Sequence, residues 1–279
     1  MAVLGKLFRN TNTNYFNPKS QGKSGGACLL QFLIIFGILS FVIIFPNTIF
    51  SQSQDPLLHK LDSHYYYPSQ LGLKKITAKV QWLQKDLKSS RPKFVSHPEV
   101  IFYWDVQSRE RIFQVDPKLQ GIPETQREEI RNFFLNYREV ILPRRLTQTL
   151  SGFKLNRMKE TSLQTMAEYQ SPDMNDEIQK YNVEVDSKLW RISKINIKRK
   201  SPPYRVVSHF KYIQKEGRWL ISETLAEFDL GKHSYSERTT YSYQNTSGFW
   251  LPVKIDQTFK KGRENIHSYQ FLINQYQIN

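Results

Sequence analysis

The sequence predicts an α+β protein, an antiparallel β-sheet with helices to cover it, set behind an N-terminal membrane helix or signal segment. Three observations carry this. From Leu189 to the end, short alternating segments are separated by polar or glycine turns. One strongly amphipathic helix precedes them, and residues Cys28 to Phe45 are almost wholly apolar.

The 27 residues before the apolar run carry Lys6, Arg9, Lys19 and Lys23 and no acidic side chain. A membrane-length run behind a positive flank is the pattern of an export signal or an N-terminal anchor, so the chain after about residue 54 is expected outside the cytoplasm. The run exceeds the roughly 7 to 15 residues of a signal core, which favours an anchor. Pro46 just past it, and Ser51 and Ser53 two apart, favour cleavage close to Ser53. Both outcomes stay open. A buried core helix would show a polar stripe, whereas this run offers only Gln31 and Ser40. Cys28 precedes the run, so it is not the lipidated cysteine of a bacterial lipoprotein. The expected plan is a basic cytoplasmic segment over 1–27, a membrane helix or signal core over 28–50, a linker and short helix over 51–70, and an extracytoplasmic β-rich domain over 71–279. The expected address is the cell envelope, either anchored in the inner membrane facing the periplasm or released into the periplasm.

The chain has 40 Lys and Arg against 25 Asp and Glu. Removing residues 1–53 takes away four basic and no acidic side chains, leaving 36 against 25, or +11. A domain this basic is drawn to anionic surfaces such as lipid headgroups. No recognition helix, zinc finger or RNA-binding motif accompanies the charge, so nucleic acid is not an expected partner. The one cysteine, Cys28, leaves the exported part without an internal disulfide or a cysteine-ligated zinc site, so stability must come from an apolar core. Asn245-Thr246-Ser247 is formally a glycosylation acceptor, relevant only in a eukaryotic secretory host.

In chain order, Leu57, Leu58 and Leu61 predict a short amphipathic helix, followed by Tyr65-Tyr66-Tyr67 and a break at Pro68. Ile76, Ala78, Val80 and Trp82 alternate with polar residues as in a half-buried strand. A helix through Leu73, Ile76, Val80, Leu83 and Leu87 also fits, but the β-formers share one parity. Val100–Val106 and Arg111–Val115 flank Gln107-Ser108-Arg109-Glu110 as a hairpin. Pro123 opens a helix whose Ile130, Phe133, Phe134, Tyr137, Val140 and Ile141 recur at helical spacing until Pro143 stops it; such a stripe is a core-facing surface. Residues 158–182 are polar around Ser171-Pro172-Asp173 and predict a loop with at most one short helix. Strands then follow: Trp190, Ile192 and Lys194; Val206 to Tyr212; Trp219 to Phe228; Tyr235, Glu237, Thr239, Tyr241 and Tyr243; Phe249 to Phe259; and Ile266 to Ile278. The turns are Lys215-Glu216-Gly217, Asn245 to Gly248 and Lys261-Gly262.

No catalytic motif stands out. His59, His64, His97, His209, His233 and His267 are scattered without metal-ligand spacing, and there is no phosphate loop or nucleophile elbow. Ser208 and His209 are adjacent, but strand neighbours point to opposite faces. Glu128 and Glu129 read as surface charge. The chain is therefore expected to be no enzyme and to carry no cofactor and no metal. The informative set is aromatic. Tyr235, Tyr241, Tyr243, Phe249, Trp250, Phe259, Tyr269, Phe271 and Tyr276 fall on both parities of the closing strands, so both faces of that sheet are expected to be apolar: either helices and a neighbouring layer cover both, or one face is a ligand-binding concavity. Tyr241, Tyr243, Phe249, Trp250, Tyr269 and Phe271 are the candidate ligand contacts. Arg144, Arg145, Lys198, Arg199 and Lys200, with Lys194, Lys260, Lys261 and Arg263, are candidates for an anionic headgroup, although Lys198-Arg199-Lys200 before Pro202 also fits an exposed loop.

Two stretches carry a resemblance. Pro56-Leu57-Leu58-His59-Lys60-Leu61 followed by Leu73-Lys74-Lys75-Ile76-Thr77-Ala78-Lys79-Val80 is similar to the opening helix and first strand of the outer-membrane lipoprotein carrier and lipoprotein-sorting superfamily. Gly248-Phe249-Trp250-Leu251-Pro252-Val253-Lys254-Ile255 and Phe271-Leu272-Ile273-Asn274-Gln275-Tyr276-Gln277-Ile278-Asn279 resemble its Leu-Pro strand and closing strand. The resemblance implies a strongly curved antiparallel β-sheet, an unclosed half-barrel covered by helices, whose concave apolar face holds acyl chains. No residue matches the family's lid-ordering arginine, so no functional residue carries over. The expected function is a non-enzymatic envelope binding protein for a lipid, a lipidated protein or another amphiphile at the membrane. Two alternatives stay open: an anchored sensor or assembly factor that binds an envelope protein partner, and a hydrolase whose site the fold assembles from distant residues.

Overall fold

The computed structural model describes residues 55–85, 99–107, 111–115, 134 and 141–279. The apolar run Cys28–Phe45 lies outside them, as does the amphipathic segment 123–142 apart from Phe134, Ile141 and Leu142. Among the described residues no helix is long and apolar enough to cross a membrane.

The described strands are β1 Lys75–Lys85, β2 Glu99–Asp105, β3 Arg111–Val115, β4 Lys154–Glu160, β5 Gln164–Gln170, β6 Ile178–Asp186, β7 Arg191–Arg199, β8 Arg205–Lys215, β9 Arg218–Leu230, β10 His233–Thr246, β11 Phe249–Lys261 and β12 Glu264–Ile278. They form one antiparallel sheet in the order β3-β2-β1-β12-β11-β10-β9-β8-β7-β6-β5-β4. From β4 to β12 it is a pure meander, and the hairpin arm β1 to β3 is added beyond β12. The sheet is not closed: β3 and β4 form its two edges. Two hairpins show why the turn residues work. Glu216 and Gly217 have φ of 51° and 75°, and Ser247 and Gly248 have 51° and 86°. Paired positive φ values match the right-handed twist of the flanking strands.

The polar stretch 158–182, expected as a loop, is strand. It contains the last three residues of β4, all of β5 and the start of β6. All seven residues of β4 are exposed, so no burial alternation marks it. In β5 the buried parity is Thr165, Ala167 and Tyr169, too weakly apolar to stand out. Ion pairs fill the other side, with Lys180 to Glu168 at 3.0 Å and Lys194 to Glu184 at 2.9 Å. Lys198-Arg199-Lys200 is likewise no exposed loop. Lys198 and Arg199 end β7, and Arg199 is buried with its guanidinium 2.9 Å from Glu177.

Phe134, Ile141, Leu142, Leu146 and Leu150 are all buried in the main apolar cluster on one face of the sheet. Helix α1, Pro56–His64, packs there too through Leu57, Leu58 and Leu61. Asp55 caps it by accepting from the amides of Leu57 and Leu58 at 2.9 and 3.3 Å. The short helix α2, Leu146–Thr149, is bound to α1 through buried Asp62, which accepts from Leu146 N at 2.7 Å, Thr147 N at 3.1 Å and Thr147 Oγ1 at 2.8 Å.

The register separates an inner face, which carries this cluster, from an outer one. The outer face is polar: Arg238 reaches Glu223 at 2.6 Å, Lys211 reaches the same carboxylate at 3.1 Å, and Gln270 donates to Asp256 at 2.6 Å. Bulges account for part of the mixed parity among the closing-strand aromatics. Thr77 pairs with Gln277 but Lys79 with Asn274, so β12 carries an extra residue there, and Gln275 has φ 52°. Tyr276 therefore packs against the same core as Tyr269 despite the opposite parity. A bulge between Glu184 and Val185 similarly moves burial in β7 from Ile192 to Ile195 and Ile197, which displaces Lys194 from the expected inward set.

Candidate ligand-binding face

The inner face has two unlike halves. One is plugged by α1 and the tyrosines after it. Tyr65 Oη accepts from Ile192 N at 2.7 Å and lies 3.1 Å from Tyr212 Oη, which donates to Ile192 O at 2.7 Å. Tyr66 Oη accepts from Trp250 N at 2.9 Å, and Tyr67 Oη donates to Asp62 at 2.7 Å. Burial pushes the Tyr65, Tyr67 and Tyr212 hydroxyls well above the ordinary phenol range, and the neighbouring Asp62 charge adds to the rise at Tyr67. These groups stay neutral and fix the plug. The sequence shows the tyrosine triplet but not this role.

The other half is a stripe of rings. Phe228, Tyr235 and Phe259 pack at 5.8 to 5.9 Å between centroids. The stripe continues through His267, stacked on Tyr269 at 5.7 Å, to Trp82 at 5.8 Å, Phe134 at 6.4 Å and Phe271 at 5.9 Å. Phe228, Phe259, His267, Tyr269 and Trp82 are only partly buried.

Cross-strand pairing runs polar side chains through this apolar face. One row reads Tyr269, Gln257, Thr239, Thr224 and Phe210 over β12 to β8. The adjacent row reads His267, Phe259, Glu237, Ala226, Ser208 and Ile195. Ser208, Thr224, Thr239 and Gln257 are all buried, between 1% and 3% exposed. Gln257 Nε2 donates to Thr239 Oγ1 at 3.2 Å. Ser208 Oγ and Thr224 Oγ1 have no hydrogen-bond partner among the described residues. A buried hydroxyl left unpaired costs about 1–3 kcal/mol, so each is a standing demand for an acceptor or donor. His209 is exposed while Ser208 is buried, so the adjacent pair does not form a nucleophile and base.

Of the candidate ligand contacts, Tyr241, Tyr269 and Phe271 fall together: Tyr241 pairs with Ile255, which pairs with Phe271, and Tyr269 lies one row away. Phe271 is fully buried, whereas Tyr269 is partly open. Tyr243 is deeply set and donates to Ile221 O at 2.9 Å, and burial pushes its hydroxyl up. Phe249 packs against the core. Trp250 sits apart over the β8–β9 turn, its indole donating to Glu216 at 3.0 Å with Lys215 4.0 Å above the ring. Of the candidate cations, Arg145 opens α2, with its amide donating to Gln148 at 3.4 Å, and Arg144 precedes it. Arg199 is engaged by Glu177, and Lys200 donates to Asn175 at 3.2 Å. Lys198 is exposed. Glu237 and His267, on either side of Phe259, are inner-face titratable groups that single-strand periodicity does not single out. Among the described residues no three of His, Cys, Asp and Glu gather as a metal site.

No family model matches the chain, and no curated protein gives a significant match. Among solved structures it is similar to a LolA superfamily protein from Nitrosomonas europaea, at 10% identity and a TM-score of 0.28 over 80% of this chain and 92% of that one. It is similar to a putative outer membrane lipoprotein-sorting protein domain from Vibrio parahaemolyticus, at 9% identity and 0.27 over 80% and 91%. A DUF1329 family protein from Desulfovibrio piger gives 7% and 0.32, again over 80% and 91%.

Proposed function

We propose that this chain is a non-catalytic binding protein of the cell envelope that holds a lipid, a lipidated protein or another amphiphile against the inner face of its sheet. The observation that supports this best is the pair Ser208 and Thr224, two buried hydroxyls without partners in the middle of an apolar, ring-lined face. An acyl chain laid along the partly open rings gains about 25 cal/mol per Å² of apolar surface removed from water. Its ester or amide carbonyl accepts from the two hydroxyls, so the occupant carries an uncharged acceptor beside its apolar chain. The curved half-barrel form and the acyl ligand are those implied by the resemblance in the opening and closing strands. Export rests on the positive flank before Cys28–Phe45.

The test is mass spectrometry of solvent extracts from the full chain purified natively out of membranes, together with uptake of a fluorescent fatty-acyl ester. Acyl lipid should co-purify, and phospholipid should displace the probe. Tyr269→Asp should stay folded and lose probe uptake, since that ring is partly open. Failure of the parent protein both to retain lipid and to take up probe removes the proposal.

A further inference from the structure

The edge at β4 has a chemistry of its own. It is paired on one side with β5, and all seven of its residues are exposed. A free edge presents a row of unpaired backbone donors and acceptors, which natural sheets cover or disguise. Register divides its side chains. Met158 pairs with Ala167 and Leu155 with Tyr169, which extends the inner apolar face to the rim, where the two remain 50% and 41% exposed. Lys154, Arg157 and Lys159 pair with Gln170, Glu168 and Met166 on the outer side. Glu160, opposite Thr165, closes the inward row, so the edge carries Leu155, Met158 and one terminal carboxylate inward and three cations outward.

We propose that β4 is a docking strand for an extended segment of a partner protein that alternates apolar and acidic side chains. Strand addition would satisfy the open backbone row, place apolar residues opposite Leu155 and Met158, and set carboxylates opposite the three cations. A second copy of this chain fits poorly, because full antiparallel overlap of β4 with itself sets Arg157 against Arg157 and the apolar Leu155 and Met158 against Lys159 and Asn156. The proposal is independent of the amphiphile reading, since it uses the rim and leaves the ring-lined half untouched.

Two labelled peptides of seven residues, the length of β4, test it on the full chain: one alternating Val and Glu, the other Val and Lys. The glutamate peptide should bind at least about tenfold more tightly at low salt, with the margin shrinking as salt is added. Hydrogen exchange should slow at β4 amides when it binds, and N-methylation of alternate peptide amides should abolish binding. In a Lys154→Glu, Arg157→Glu, Lys159→Glu variant the preference should invert. No binding by the glutamate peptide, equal binding of the two peptides, or protection that falls elsewhere than β4 overturns the proposal without recourse to any variant.

Discussion

Replacing Thr224 with Val keeps the side-chain shape and turns one hydroxyl into a methyl. At 1% exposure with no partner, that hydroxyl carries a desolvation penalty of about 1–3 kcal/mol, which the variant relieves. Valine also suits a strand. The empty protein should therefore become more stable, with the melting temperature rising by about 2–4 °C per kcal/mol for a chain of this size. Ligand binding should move the other way. Loss of one net hydrogen bond of about 0.5–1.5 kcal/mol weakens acyl-ester affinity about two- to twelvefold. Ser208→Ala should show the same pair of signs. The assays are thermal unfolding of lipid-stripped protein and titration with the fluorescent ester. A variant that melts lower than the parent when empty shows that the hydroxyl is already satisfied, and the reasoning fails. Higher stability with unchanged affinity shows that the ligand does not use it.

Asp62→Ala should destabilise by about 1–3 kcal/mol or more, because the Tyr67, Leu146 and Thr147 donors lose a shared buried acceptor; a lower urea midpoint at unchanged slope would show it, and no shift in the midpoint would contradict the assigned tie between the helices. Stability should also fall at both ends of the pH scale. Hydrogen bonds from Arg238 and Asn156 hold Glu223 and Glu168 below the ordinary carboxylate value, and at Glu177 bonds from Ser201 and Arg199 outweigh the opposing effect of burial. Their contribution is present above that ordinary value of 4.5 and is lost as pH drops through the lower folded values, in a manner softened by salt. Tyr65, Tyr67 and Tyr212 have raised folded values, so their contribution is complete below the ordinary 10.0 and is lost as pH rises through the folded ones. Tyrosinate absorbance from these buried rings should therefore appear together with loss of strand signal in circular dichroism, and titration of all the tyrosines in the folded protein would refute it.

The parts of the fold legible in the sequence are those where one physical signal dominates. Glu216-Gly217 and Ser247-Gly248 announce hairpins because few other residue pairs accept the required φ, and the β10 parity of Tyr235, Thr239 and Tyr241 survives intact as burial. The first strand and the β2–β3 hairpin follow the same logic. The β4–β5 hairpin hides because β4 is exposed along its whole length and β5 buries only Thr165, Ala167 and Tyr169, with an ion pair from Glu168 on its other side, so apolar alternation is faint where pairing is continuous. Bulges defeat parity in a different way. A single extra residue at Gln275 reverses every side chain after it, so Tyr276 joins the face of Tyr269 and Phe271 although its parity is opposite.

The candidate site is harder to read for a reason that follows from the register. Ser208, Thr224, Thr239 and Gln257 come from four successive strands, and each taken alone is an ordinary polar residue in a polar-rich segment. What sets them apart is parity: Ser208 lies between Val206 and Phe210, and Thr239 two residues before Tyr241, where a core strand would place another apolar group. Only the cross-strand pairing turns four isolated exceptions into adjacent rows. A face shaped by packing alone would carry Ala and Val there and would avoid about 1–3 kcal/mol for each unpaired hydroxyl. Departures from local consistency of this kind concentrate where a surface is matched to something other than its own core. On the inner face they fall beside its partly open rings, where the proposed acyl chain and its polar linkage would lie.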